Sequence, residues 1–276
     1  MKSKVKPLFS IVTISYNQDT FLESCIKSVL NQSFNNFEYI IQDPGSTDDS
    51  RKILSSYKDI DSRLKVFFED DDSPGDGLNK GFSKANGKYF LFLNSDDELC
   101  PDALKELSSI IKINPRFDVY SGAAKIIDKN GKVLRYTYSD QMNLKRASYS
   151  SCIIVQQSTT FTSSIFSKVG GFNKENLINW DGELFIDFAL ASAKFKVFRT
   201  VISKYRLTNK SITGSGLSLR NNYKNQKEIY FKINNKKTPI FFKFYQIFFR
   251  LQRKVLNIED TLQRLFKGKI SGRFKK

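Results

Sequence analysis

An α/β fold is predicted here: a parallel, doubly wound sheet with helices on both faces, followed by a C-terminal helical basic extension. Three features of the chain carry that expectation. Short apolar, β-branched runs alternate with stretches of helical period from residue 8 to residue 97, the order of elements that builds a parallel sheet. The connections between them are short and rich in turn and capping residues, which keeps successive strands side by side. Positive charge collects at the end: from Arg220 onward 16 Lys and Arg stand against three acidic residues, +13 of the formal +17.

The elements follow in order. Leu8 to Ile14 (L-F-S-I-V-T-I) is a buried strand that stops at Ser15-Tyr16-Asn17-Gln18-Asp19, and Phe21, Leu22, Cys25, Ile26, Val29 and Leu30 then recur at helical spacing. Phe37 to Gln42 is the second strand; the turn Asp43 to Ser50 leads into a helix carrying Ile53, Leu54 and Tyr57. Leu64 to Phe68 is the third. An acidic, Gly-rich loop, Glu69 to Gly77, precedes a short helix, Leu78 to Ala85, ended by Asn86-Gly87. Tyr89 to Leu93 is a fourth strand, apolar throughout as a strand covered on both faces should be. Beyond it, Asp102 to Ile113 reads as a helix, and Val119 to Asp128 with Lys132 to Tyr138 as a hairpin around Asn130-Gly131. Ser151 to Phe161 is β-rich, Ser163 to Val169 a short helix, and Trp180 to Ala193 a longer one burying Leu184, Phe185, Phe188 and Leu190.

Composition removes several chemistries. The chain has no histidine, so Ser–His and Cys–His catalysis are excluded and acid–base work falls to carboxylates, Lys or Tyr. Cys25, Cys100 and Cys152 are widely spaced and lack a metal-ligand pattern, which fits a reducing compartment. The basic N-terminus before Leu8 superficially resembles a signal peptide, but the apolar run is short and holds Ser10 and Thr13, so a first strand is the expectation. No uncharged stretch approaches the ~18–20 apolar residues of a membrane span. Neither the dinucleotide glycine fingerprint nor a P-loop is present.

Chemistry concentrates at the strand ends. The fourth strand gives way to Asn94-Ser95-Asp96-Asp97-Glu98, where open α/β sheets bind ligands. Adjacent carboxylates repel each other, and a divalent cation is a common remedy; the alternative is that Asp96 or Asp97 caps the next helix. The turns after strands one to four bring Tyr16, Asp43, Asp76, Asp96 and Asp97 to one edge of the sheet, and Asp181 opens the Trp180 helix near it.

Five ordered stretches match one family. S-I-V-T-I-S-Y-N at 10–17, S-V-L-N-Q-S-F-N-N-F-E-Y-I-I-Q-D-P-G-S-T-D at 28–48, G-D-G-L-N-K-G-F at 75–82, A-N-G-K-Y-F-L-F-L-N-S-D-D at 85–97 and V-G-G-F-N at 169–173 resemble family 2 glycosyltransferases of the bacterial surface-polysaccharide type. W-D-G-E-L-F at 180–185 sits where that family carries its acidic catalytic segment. The resemblance implies a GT-A, Rossmann-like fold over residues 1–206 and inverting transfer from a nucleotide-diphospho-sugar, with UDP-sugars favoured, to a glycan or lipid-linked acceptor. It implies donor contacts from Tyr16, Asp43, Asp76 and Asp96, a Mg²⁺ or Mn²⁺ ion on Asp96 and Asp97, and Asp181 as general base. The family pattern is broken at three places: Pro44 stands for an acidic residue, Asn94 for the first Asp of the fuller motif, and Trp180 for an acidic neighbour, which leaves Glu183 as a rival base. A nucleotidyltransferase of related fold and a non-catalytic nucleic-acid or membrane-binding module are the competing readings.

Residues 207–238 read as a polar linker, with Thr208 to Ser218 as a candidate acceptor loop, and 239–276 as an amphipathic basic helical tail. In that tail Phe241, Phe244, Phe248, Leu251, Val255 and Ile258 form a helical stripe, with Lys243, Arg250 and Lys254 on another side. An anionic membrane surface is the expected partner, with packing on the catalytic domain or a homodimer as alternatives and nucleic acid ranked last. The expected location is cytoplasmic, peripheral on the inner face of the cell membrane.

Overall fold

Strand β1 (Phe9–Ile14) lies inside a nine-stranded sheet ordered β3-β2-β1-β4-β8-β6-β9-β5, with β7 paired to β6. The structure, a computed structural model, describes residues 6–208, 222–268 and Ile270. β2 (Phe37–Asp43), β3 (Leu64–Phe68) and β4 (Tyr89–Phe92) run parallel with β1, joined by α1 (Asp19–Leu30), α2 (Ser50–Tyr57) and α3 (Pro74–Ser83). This first half is the predicted doubly wound unit, element for element.

The second half is mixed. β5 (Glu98–Leu99) and α4 (Ala103–Ile113) precede the long β6 (Val119–Ile127), which pairs with β7 (Val133–Tyr138) around the expected Asn130-Gly131 turn. α5 (Leu144–Ser148) follows. The β-rich stretch expected over 151–161 is largely irregular and closes in a 3-10 turn, Gln156–Ser158; only β8 (Thr159–Thr162) is strand. β8 runs antiparallel between β4 and β6. After α6 (Ser163–Val169) and α7 (Trp180–Leu190), β9 (Phe195–Arg206) runs parallel to β6. No element is assigned to 195–206 from sequence alone, although its apolar residues alternate with polar ones in the period of a half-buried strand; its partner lies far back in the chain. β6 bends to serve β8 and β7 along one edge and β9 along the other. Its register shifts around Gly122, where a Cβ would fall 2.6 Å from the Phe198 ring and 2.8 Å from the Thr200 carbonyl oxygen.

Each face of the sheet carries a core. On one, Leu22 and Ile26 of α1, Leu54 of α2 and Leu104 and Leu107 of α4 cover Ile11, Tyr39 and Leu91. On the other, an aromatic cluster of Phe82, Phe90, Phe161, Phe166 and Phe172 extends to Trp180, which packs against Phe92 with centroids 5.4 Å apart. Leu184, Phe185 and Phe188 of α7 are buried as expected; Leu190, at the end of the helix, is 41% exposed instead.

The chain ends in α8 (Asn222–Asn234), α9 (Phe242–Leu256) and α10 (Ile258–Lys267). Residues 222–234, expected within a linker, are helical because Tyr230 packs on Phe242 and Tyr149, and Lys232 bridges Glu183 at 2.6 Å and Asp187 at 2.6 Å. The candidate acceptor loop beyond Thr208 and the basic residues Lys269, Arg273, Lys275 and Lys276 lie outside the described residues. The tail breaks into two helices at Asn257, whose side chain donates to Asp140 at 2.6 Å and accepts from the Asp260 backbone N–H at 3.4 Å. No helix among the described residues is long and apolar enough to cross a membrane.

Candidate active site

The carboxyl ends of β1 to β4 open on one cleft of about 710 Å³. Ser15 and Tyr16 enter it after β1, Pro44 after β2, Asp71 to Pro74 after β3, and Asn94 to Asp96 after β4. Gln156 and Gln157, Asn179 to Asp181 and Tyr205 complete the walls. The strand-end rule for open α/β sheets thus locates the cleft. Four aspartates line it, and among the described residues no Lys or Arg does.

The turn after β4 separates its two aspartates. The Asp97 N–H donates to the Asn94 carbonyl at 3.0 Å, which folds the chain back and sends the two side chains to different places. Asp96 faces the cleft, and burial of its carboxyl pushes its pKa up to about 6. Asp97 is fully buried behind it. Its carboxylate accepts from the Arg206 backbone N–H at 2.8 Å and from the Asn94 side chain at 3.4 Å, and burial together with the Asp96 charge raises its pKa well above the ordinary value. Arg206 fastens this turn: its Nε donates to the Asp96 carbonyl at 2.9 Å, its guanidinium pairs with Glu98, and its plane lies 4.6 Å over the Phe21 ring.

α7 delivers Asp181. Trp180, held by Phe92 and by Phe172 at 5.5 Å, anchors the first turn so that the next residue reaches the cleft. One Asp181 carboxylate oxygen accepts from the Gly182 N–H at 2.8 Å, and burial raises the carboxyl pKa. Glu183 is placed differently. It accepts from Asn176 at 2.7 Å and from Lys232 at 2.6 Å, and although burial pushes its pKa up, these partners outweigh that and hold it below the usual range. Asp181 is on the cleft wall; Glu183 is committed to α8.

Of the predicted site residues, the structure brings Tyr16, Asp96 and Asp181 to the cleft wall. Three others do not line it. Asp43 is fully buried beneath Pro44, its carboxylate accepting from the Gly45 and Ser46 backbone N–H groups at 3.0 and 2.9 Å, from the Ser46 hydroxyl at 2.6 Å and from Arg51 at 3.2 Å. It shapes the turn that presents Pro44. Asp76 pairs with Lys80 at 2.7 Å and accepts from the Asp72 N–H at 3.1 Å, so it fixes the loop before α3. Asp97 anchors β9, as described.

Sequence reasoning passes over Asp71, read as part of a solvated acidic loop. Its carboxyl is pushed up to about 6 by burial first and by the Asp76 charge second. Its signal was Gly77: a Cβ there would sit 2.5 Å from an Asp71 carboxylate oxygen, so the G-D-G segment keeps room for that side chain. Gln156 is a second omission. It donates to the Phe92 carbonyl at 2.9 Å at the end of β4, and only the polar pair in an otherwise β-rich stretch marked it.

A cleft with these walls repels anions unless a cation accompanies them. Among the described residues no three carboxylate or thiol groups converge to hold an ion unaided. One cleft-facing carboxylate with a raised pKa does fit a divalent cation that takes its other oxygens from water and a phosphate-bearing ligand.

Residues 10–180 match the family described as Glycosyl transferase family 2. Among curated proteins, the chain is 41% identical over 102 residues to the putative teichuronic acid biosynthesis glycosyltransferase TuaG of Bacillus subtilis, a match covering 37% of this chain and 40% of that one. Among solved structures, residues 1–349 of S. aureus TarS in complex with UDP-GlcNAc superpose with a TM-score of 0.64 at 16% identity, over 94% of this chain and 74% of that chain. The mannosyltransferase PcManGT of Pyrobaculum calidifontis, in complex with GDP-Man and Mn²⁺, gives a TM-score of 0.65 at 13% identity, over 95% and 75%. Those two likenesses concern the fold, which is of the GT-A kind.

Proposed function

The chain belongs to glycosyl transferase family 2, matched over residues 10–180, and from that premise we propose that its cleft transfers a sugar, with inversion, from a nucleotide-diphospho-sugar to an acceptor hydroxyl. The observation that carries this reading is the cleft itself: an acidic, Lys- and Arg-free wall among the described residues, with Asp96 and Asp181 both facing in and both raised by burial. The acceptor O–H attacks the anomeric carbon, its proton passes to the Asp181 carboxylate, and the bond to the diphosphate breaks with its electron pair leaving on the nucleoside diphosphate. A carboxylate whose pKa is raised by burial binds a proton more readily than a free one, which suits a general base.

Tyr16, 60% exposed at the mouth, offers a ring face to the nucleotide base. Asp96 is the residue placed to hold a divalent cation, Mg²⁺ or Mn²⁺, which when bound supplies the charge that stabilises a diphosphate leaving group. Asp97 and Arg206 position Asp96 from behind. Asp43 and Asp76 act through the turns they set. UDP-sugars are the first donors to test, given the UDP-GlcNAc bound to TarS, and surface polysaccharide assembly is the context that TuaG's name suggests. Three free thiols accord with work inside the cell.

A donor screen tests this directly. Nucleoside diphosphate release should appear with one of the UDP-, GDP- or dTDP-sugars and should require a divalent cation. Release of pyrophosphate instead would identify a nucleotidyltransferase. Asp181→Asn should lower transfer by roughly 10²–10⁴-fold with donor affinity kept. In the parent enzyme kcat should fall as pH drops through the raised Asp181 value. Near-normal transfer by a folded Asp181→Asn protein would remove Asp181 from its role.

A further inference from the structure

α9 is turned the opposite way from an ordinary surface helix. The residues it buries are Phe242, Gln246, Phe249 and Arg253, one face at helical spacing. Phe249 stacks on Tyr149 with centroids 5.0 Å apart, Phe242 packs tilted against it at 5.3 Å, and Gln246 donates to Gln226 of α8 at 2.8 Å. Arg253 pairs with Asp140 and, at 2.9 Å, with Asp260. These contacts leave the far side to Phe244, Ile247, Phe248, Leu251 and Val255, each between 52% and 78% exposed. Ile258, Leu265 and Phe266 of α10 are exposed as well. Together these side chains present on the order of 500 Å² of apolar surface or more, at or beyond what a soluble monomer usually exposes in one patch.

We propose that this face docks on an anionic lipid surface, with α9 lying in the interface plane. The charge pattern selects that occupant over a second copy of the chain. Lys243, Arg250 and Lys254 form a row beside the apolar face, are exposed, and make no ion pair among the described residues. α9 contains no acidic residue. A two-fold contact through this face would bring equal positive rows together. A bilayer with acidic headgroups instead takes the apolar side chains at the acyl boundary and the cations at the phosphates. None of these residues lines the cleft, and the docking does not depend on which reaction the cleft performs.

Flotation of the full chain with vesicles tests the proposal. The protein should bind phosphatidylcholine vesicles containing phosphatidylglycerol, should release as salt is raised, and should bind pure phosphatidylcholine far more weakly. Phe244→Ser/Phe248→Ser/Leu251→Ser should reduce binding tenfold or more with thermal stability and donor binding kept, because all three side chains already face solvent. Lys243→Gln/Arg250→Gln/Lys254→Gln should lose the preference for the anionic lipid by on the order of tenfold or more. No flotation with either lipid, or equal binding to both, would overturn the proposal. A dimer in sedimentation velocity that the triple Ser variant dissolves would overturn it too, by assigning the face to a second copy.

Discussion

Asp96 carries its charge at a cost, and that cost is measurable. Burial raises its pKa from 3.8 to about 6, so the folded chain holds this proton more tightly than the unfolded chain does. The stability this contributes is fully present below about pH 4 and is lost as pH rises through about 6. At pH 7.5, without a cation, Asp96→Asn should therefore stabilise the protein, by up to about 3 kcal/mol. The cation-linked gain has the opposite sign in pH, because a ligand carboxylate must be ionised. With Mn²⁺ and UDP at about a hundred times their joint dissociation constant, the parent Tm should rise by roughly 5–10 °C at pH 7.5. That rise should shrink below pH 6 and be absent in Asp96→Asn. A calorimetric scan in which Asp96→Asn kept the full rise would place the cation elsewhere. Neighbouring aspartates in the sequence gave no means of telling cleft-facing Asp96 from buried Asp97; the difference arises from Arg206, more than 100 residues away.

At the scale of the element, the tail helices are docked by buried charge as well as by the aromatic cluster of Tyr149, Tyr230, Phe242 and Phe249. Asp260 is fully buried; burial pushes its carboxyl up, and the Arg264 and Arg253 charges outweigh that and hold it below its ordinary value. The Thr137 hydroxyl donates to it at 3.1 Å, and the Gln263 side chain accepts from the Tyr136 N–H at 3.0 Å, joining α10 to β7. Since the folded pKa is depressed, this pairing stabilises above about pH 4 and weakens as pH falls through the lower folded value. Arg253→Leu should cost about 3–5 kcal/mol, because it leaves buried Asp140 without its arginine and takes from Asp260 one of the two arginines that hold it. Hydrogen exchange would show it as selective opening of α9 and α10 with β1 to β4 still protected; uniform exchange across the chain would contradict this. The sequence pattern showed the stripe of exposed aromatics correctly as a helix face. It could not show that the helix docks through Phe242, Gln246, Phe249 and Arg253, because two of those four are polar and find partners only in the folded molecule.

Across the whole molecule, legibility follows locality. β1 to β4 and their helices were readable because β1, β2 and β4 are apolar, buried runs and β2 pairs with β1 and with β3 across one helix each, while β4 alone returns farther, to β1. The second half depends on distant pairings: β8 enters between β4 and β6, and β9 returns to β6 across roughly 75 residues. Local propensity has no access to such partners, so a twelve-residue strand went unassigned. The cleft was readable as a place, from strand ends, and unreadable as an arrangement of side chains, since the same Asx chemistry serves a turn at Asp43 and a ligand face at Asp96.

The clamp between Arg206 and the Asp96–Asp97 turn also sets an order of events for a chain emerging from the ribosome. Its backbone and side-chain bonds to Asp97 and Asp96 span 109 and 110 residues. A nascent chain that has released β1 to β4 can assemble four parallel strands and their helices, yet it holds two adjacent carboxylates with nothing behind them. Donor binding should therefore switch on late and abruptly, when β9 docks, rather than grow with chain length. Stalled chains ending before and after residues 195–206, with enough linker to clear the exit tunnel, would show this as a step in nucleotide protection. A chain ending before β9 that bound nucleotide as tightly as the whole protein would show that the turn needs no late partner.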